Sequence, residues 1–103
     1  MSIATANVTT AIGNVYVSGG NTAITYMTIC NYGASNVTAN VYAVPSGNTA
    51  SNTNIMMSQL TILPHDTYQL YQAAEKILLG PGDSIQANVT ANTVSIVTSY
   101  TTI

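Results

Sequence analysis

Between Asn36 and Val44 the apolar positions Val37, Ala39, Val41 and Ala43 alternate with Thr38, Asn40 and Tyr42. Successive side chains of a strand point to opposite faces, so this segment predicts a half-buried strand with one face turned inward. Val94, Ile96, Thr98 and Tyr100 alternate with Ser95, Val97 and Ser99 in the same way, which predicts a long C-terminal strand that closes a sheet. From Ile24 to Cys30 both parities are largely apolar, as expected of a central strand or of one covered by a neighbouring subunit.

The same kind of segment recurs nearly end to end: runs of Val, Ile, Thr and Tyr between clusters of Gly, Pro, Asn and Ser. About eight strands are expected at the short spacing of sandwiches, over Ile12–Val17, Ala23–Asn31, Asn36–Val44, Ile55–Ile62, Thr67–Tyr71, Glu75–Leu79, Ser84–Val89 and Thr93–Thr102. The fold class is therefore all-β, a single antiparallel β-sandwich of jelly-roll or immunoglobulin-like topology. Turns are expected at Ser18-Gly19-Gly20-Asn21, Asn31-Tyr32-Gly33-Ala34, Gly80-Pro81-Gly82-Asp83 and Ala91-Asn92, where residues suited to fixed or positive φ gather. Pro45 to Asn54 holds no core candidate and reads as a mobile loop at one end. Between Gln69 and Leu79 the periodicity is mixed and a turn of helix competes with strand.

Residues 1–12 stand apart as an N-terminal arm that can be exchanged between subunits, with the sandwich occupying 13–103. Ile3, Ala4, Ala6 and Val8 alternate among Ser, Thr and Asn, enough for the arm to add as a strand to another sheet.

Composition sharpens this picture at one point. The chain has 103 residues, of which 47% are hydrophobic, enough for a single core. Only 4% are charged, against roughly 25% in ordinary soluble domains. Asp66, Glu75, Lys76 and Asp83 are the whole set, so Asn, Thr, Ser and Gln must wet the surface. A surface with no field to repel its own copies suits a subunit held in an assembly. One Lys, no Arg and a net charge of -2 exclude nucleic acid as a direct partner. There is no apolar run of about 18 residues, and Met1 to Thr10 lacks the cationic and apolar regions of a signal peptide. No membrane partner is expected, and the chain is expected to be made and kept in a cytoplasm.

Candidate chemistry is sparse. His65 and Asp66 are neighbours in Leu63-Pro64-His65-Asp66-Thr67, where a turn explains them better than a dyad, because adjacent residues of an extended chain face apart. No Gly-x-Ser-x-Gly marks a nucleophile, and one His, one Cys and three acids make no familiar metal site. Asp83 reads as a turn residue and Glu75 with Lys76 as a solvated pair. Cys30 reads as a buried, inert thiol. The Asn-Val-Thr triplets at Asn7, Asn36 and Asn88 are by-products of strand composition. No catalytic, cofactor or metal residue is expected, and the chain is not expected to be an enzyme. What remains is surface. Seven Tyr with no Trp or Phe is an aromatic choice that suits partly hydrated contacts. The interface candidates are Ile3, Val8, Tyr32, Tyr68 and Tyr71, while Tyr26, Tyr42 and Tyr100 are assigned to the core or rim.

Taken in order, Ile29-Cys30-Asn31, Val41-Tyr42-Ala43-Val44-Pro45-Ser46-Gly47, Asp66-Thr67-Tyr68 and Ile77-Leu78-Leu79-Gly80-Pro81-Gly82-Asp83-Ser84-Ile85-Gln86-Ala87 resemble small virion proteins of tailed bacteriophages. The resemblance runs from about Ala23 to the C-terminus. It implies a β-sandwich that decorates or cements the phage head by bridging shell subunits, located in the virion. It also implies partnership with the major capsid protein or other virion proteins and with copies of itself. A homo-oligomer is expected, with a trimer favoured by the local threefold positions of icosahedral shells. The alternatives are a tail or baseplate component and, from another class, a carbohydrate- or host-binding module.

Overall fold

The computed structural model describes residues 2–70 and 77–103. The elements in order are β1 (Ser2–Val8), β2 (Gly13–Val17), β3 (Thr22–Asn31), β4 (Val37–Val44), β5 (Ile55–Ile62), β6 (Thr67–Leu70), β7 (Ile77–Leu79), β8 (Ser84–Val89) and β9 (Val94–Thr102). No helix occurs among the described residues.

The pairing is nested. β1 pairs with β9, β2 with β8, β3 with both β6 and β7, and β4 with β5, all antiparallel. The chain is thus one long hairpin whose return arm retraces the outgoing one. Two further pairings, β3 with β9 and β4 with β8, roll that hairpin up. The result is two sheets, ordered β1-β9-β3-β6 with β7 also on β3, and β2-β8-β4-β5. This strand order is the jelly roll, which decides between the two topologies left open by the sequence.

The core lies between the inner faces. Met27 and Ile29 of β3, Val41 of β4, Ile85 of β8 and Val94 and Ile96 of β9 are fully buried, each side chain worth about 1.5–3 kcal/mol of transfer free energy. The inward parity of β4 and β9 is the one their alternation predicts. β3 is indeed central, flanked on both sides.

Three expectations are corrected. Residues 2–8, expected as an arm outside the sandwich, are paired along their whole length with β9 of the same chain, and Val8 is in the core. Their alternation finds its partner within the chain because nested pairing leaves the last strand one free side. For the same reason β9 does not close the sheet but lies between β1 and β3. Cys30 is half-buried on the outer face, because its neighbours Ile29 and Asn31 take the inward parity. Tyr71, Glu75 and Lys76 lie outside the described residues.

Three turns share one geometry. In Leu63–Asp66, Pro45–Asn48 and Gly80–Asp83 the fourth residue's N–H donates to the first carbonyl. The third residue is left-handed in each: His65 at φ 58°, Gly47 and Gly82 at 83°. That is the type II signature, with Pro64 and Pro81 at the second position. Gly82 is doubly constrained, since a Cβ there would also strike the Ser46 side chain. The polar loop after Pro45 carries its own bonds: Asn54 Oδ1 accepts from Ser51 N and its Nδ2 donates to Thr49 O.

At the opposite end from Gly82, Asn31 is fully buried. Its Nδ2 has three carbonyls in reach, Ser35 at 2.8 Å and Ile62 and Leu63 at 3.2 Å each. Its Oδ1 accepts from Gly33 N and Thr93 Oγ1, both at 3.0 Å. Gly33 must be small here, because a Cβ would stand 2.8 Å from that of Thr93. Asn31→Ala should lower stability by about 3 kcal/mol, several net hydrogen bonds plus stranded partners. The denaturant midpoint should fall at unchanged slope, whereas exposed Asn36→Ala should stay within about 0.5 kcal/mol. His65→Gly should raise the midpoint modestly, since an L-residue in left-handed conformation costs about 1 kcal/mol and the freer unfolded chain of Gly takes part of that back.

Candidate interaction surface

The titratable candidates fall in turns at the two ends of the sandwich. His65 and Asp66 occupy the β5–β6 turn, where Asp66 Oδ1 accepts from Thr67 N at 2.9 Å and Asp66 O accepts from Asn31 N at 3.0 Å. Asp83 sits at the other end, in the β7–β8 turn. Among the described residues no group of three or more His, Cys, Asp or Glu could hold a metal.

Asp83 is a clamp. Its Oδ2 accepts from Gly80 N and its Oδ1 from Ser46 N, both at 2.8 Å. Its backbone joins the β2–β3 turn, Ser18 N donating to Asp83 O and Gly82 N to Ser18 O, each at 2.8 Å. The Gly80 N–H, then the Ser46 N–H, stabilise the ionised carboxylate and hold it below the ordinary aspartate range, against a smaller opposing effect of desolvation.

Asp66 and Asp83 are the charged side chains of the described residues, and both lie in turns. Among the described residues, neither sheet presents a charged side chain on its outer face. On the β1-β9-β3 sheet the outward residues form cross-strand rows: Ile3 with Ser99 and Tyr26, Thr5 with Val97 and Thr28, Asn7 with Ser95 and Cys30. Near the far end Leu78 stands beside Ala23 and Thr101. Ile3 is 70% exposed, Leu78 67% and Val97 38%. Over the described residues the face is therefore a Thr and Ser ground with isolated apolar side chains and no ion. The other sheet's outer face is amide-rich, with Asn14, Gln86 and Tyr42 in one row and Asn88 beside Asn40. Asn40 Oδ1 accepts from Gln59 N at 2.7 Å, and Asn88 Oδ1 is buried with no hydrogen-bond partner. Tyr42 in that row is buried.

The interface candidates scatter. Ile3 is on the outer face of β1 and Val8 is buried. Tyr32 is exposed in the β3–β4 turn, its hydroxyl donating to Asn92 O at 3.3 Å. Tyr68 is exposed on β6, on the opposite flank of β3. Tyr16 and Tyr100, by contrast, stack against each other at 4.6 Å and pack on the core. Val97 and Leu78 were not singled out in the sequence. Their signal was there, since each has the opposite parity to a core residue, Ile96 and Leu79.

No family model, curated protein or solved structure matches the chain.

The Asp83 clamp has a pH signature. A carboxyl whose folded pKa lies below its unfolded one stabilises fully above the unfolded value, about 4, and loses that contribution as pH falls through the folded value. The wild-type denaturant midpoint should therefore fall on acidification below about pH 5. Asp83→Asn should be less stable at neutral pH and lose that part of the acid dependence; an unaltered acid limb in the variant would remove Asp83 as its source.

Proposed function

We propose that this chain is a structural subunit that works by being packed against copies of itself and partner proteins, and that its setting is the head of a tailed phage, where it decorates and cements the shell. The observation that carries the reading is that, among the described residues, the outer surfaces of both sheets bear no charge and the charged side chains are confined to turns. Charges usually guard sheet surfaces against association, and none does so among the described residues. The jelly roll is a fold of capsid, lectin and cupin domains, so it agrees with a virion role without choosing it. The choice of a phage head rests on the resemblance of the residue order from Ala23 onward to small virion proteins.

The mechanism is mechanical. Buried area and strand edges bridge neighbouring shell proteins and resist pressure from packaged DNA, with no bond made or broken. Among the described residues no helix is long and apolar enough to cross a membrane.

Gold-labelled antibody on purified particles tests the role. Head labelling, together with lower resistance of heads lacking the protein to heat or chelator, is the expected result. Tail labelling would move the protein to the tail, and its absence from particles would end the virion reading.

A further inference from the structure

The two sheets have four edges, and three of them carry features that discourage pairing with another chain. β2 is five residues long, with a register shift between Asn14 and Tyr16. β5 has two register shifts against β4, and Gln59 at φ 54° within it. β6 and β7 are four and three residues long and share one edge, with Pro64 just before the first. Bulges, short strands and proline are the devices by which natural sheets blunt their edges. β1 has none of them. It is seven residues long, in unbroken register with β9 from Ser2↔Tyr100 to Val8↔Val94, with no proline, glycine or charge.

From this contrast we infer that β1 is a docking edge and that its occupant is β1 of a second copy, joined antiparallel about a two-fold axis so that the two outer sheets become one. A two-fold contact sets residues against their own copies, so a charge near the axis would repel itself, and Ser2–Val8 contains none. Parity fixes the register further. The axis must stand perpendicular to the sheet for both copies to keep their cores on the same side, which requires it to pass through a residue and not between two. Full overlap of Ser2–Val8 puts it at Thr5. Thr5 then faces Thr5 of the other copy, a favourable cross-strand pair, Ile3 faces Asn7, and Ala4 faces Ala6.

The alanines supply the second reason. The inward residues of β9, Val94, Ile96 and Thr98, are fully buried, while Ala4 and Ala6, inward on β1, remain half-exposed at the rim of the sandwich. Their small side chains leave room for the matching pair of another copy to continue the inner face. This contact does not depend on where the assembly resides, and it makes a pair where the resemblance to virion proteins favoured a trimer.

Thr5 is exposed, so its substitution leaves the core untouched, and a thermal melt of each variant checks that it folds. Sedimentation velocity on the full chain is expected to show a dimer. Thr5→Lys and Thr5→Glu should each sediment as monomers, their like charges meeting at the axis, and an equimolar mixture of the two should restore the dimer. Ser58→Lys, on the β5 edge, should leave it intact. In a Cys30→Ser background, Thr5→Cys should oxidise to a disulfide-linked dimer. A wild-type chain that stays monomeric, an oligomer unaffected by Thr5→Lys, or charge variants that fail to recombine would each overturn the assignment. None of these outcomes bears on phage particles, so failure here and failure of the virion role are separable.

Discussion

One buried amide holds the turns at one end of the sandwich. Strand ends leave backbone N–H and C=O groups without ladder partners, and buried ones must be met by something. At that end the loose groups are carbonyls of Ser35, Ile62 and Leu63 together with an N–H of Gly33 and a hydroxyl of Thr93. A primary amide presents two N–H donors beside a separate acceptor oxygen from one short side chain, so Asn31 fits where Asp or Leu would not. At the other end the loose groups are N–H donors of Gly80 and Ser46, and there the residue is an aspartate, which only accepts. The residue type at each end follows from which backbone atoms the strand pairing leaves over.

Because the polar requirements are met at the two ends, the faces are left to composition alone. Among the described residues Thr, Ser, Asn and Gln wet them without ions, and with 4% of its residues charged the protein generates little field beyond its own surface. Association between such molecules rests on short-range contact, with backbone pairing at sheet edges as its strongest directional element. In that setting the shape of each edge matters more than its charge. Register shifts and short strands blunt three edges, and the unbroken β1 stands out by contrast. The left-handed Gln59 belongs to the same scheme, its N–H taken by Asn40 and turned away from the ladder.

Much of this was legible beforehand. Ile55–Ile62 and Ser84–Val89 are strands with the expected bounds, and the others begin or end within a few residues of theirs. Gly80-Pro81-Gly82-Asp83 is the expected turn, although nothing local announced that its aspartate would also reach Ser46. Cys30 was misjudged because it ends an apolar run, whereas Ile29 and Asn31 on either side of it take the inward parity and leave it half-buried on the outer face. Val97 was passed over as the polar-parity member of an alternating run, although on an outer face it is the apolar residue that signifies.

The sequence by itself determined that this is a β-protein with these strands, these turns and mostly these inward residues, because side-chain alternation and turn chemistry act between near neighbours. The tertiary structure decided the nested order, the identity of the edges, the place of Ser2–Val8 inside the sheet and the gathering of five groups around Asn31. These depend on which strands meet across the fold. With the described strands built from the same few uncharged residues, no local signal says which partner each will take, and only joint burial of all the inner faces selects one arrangement.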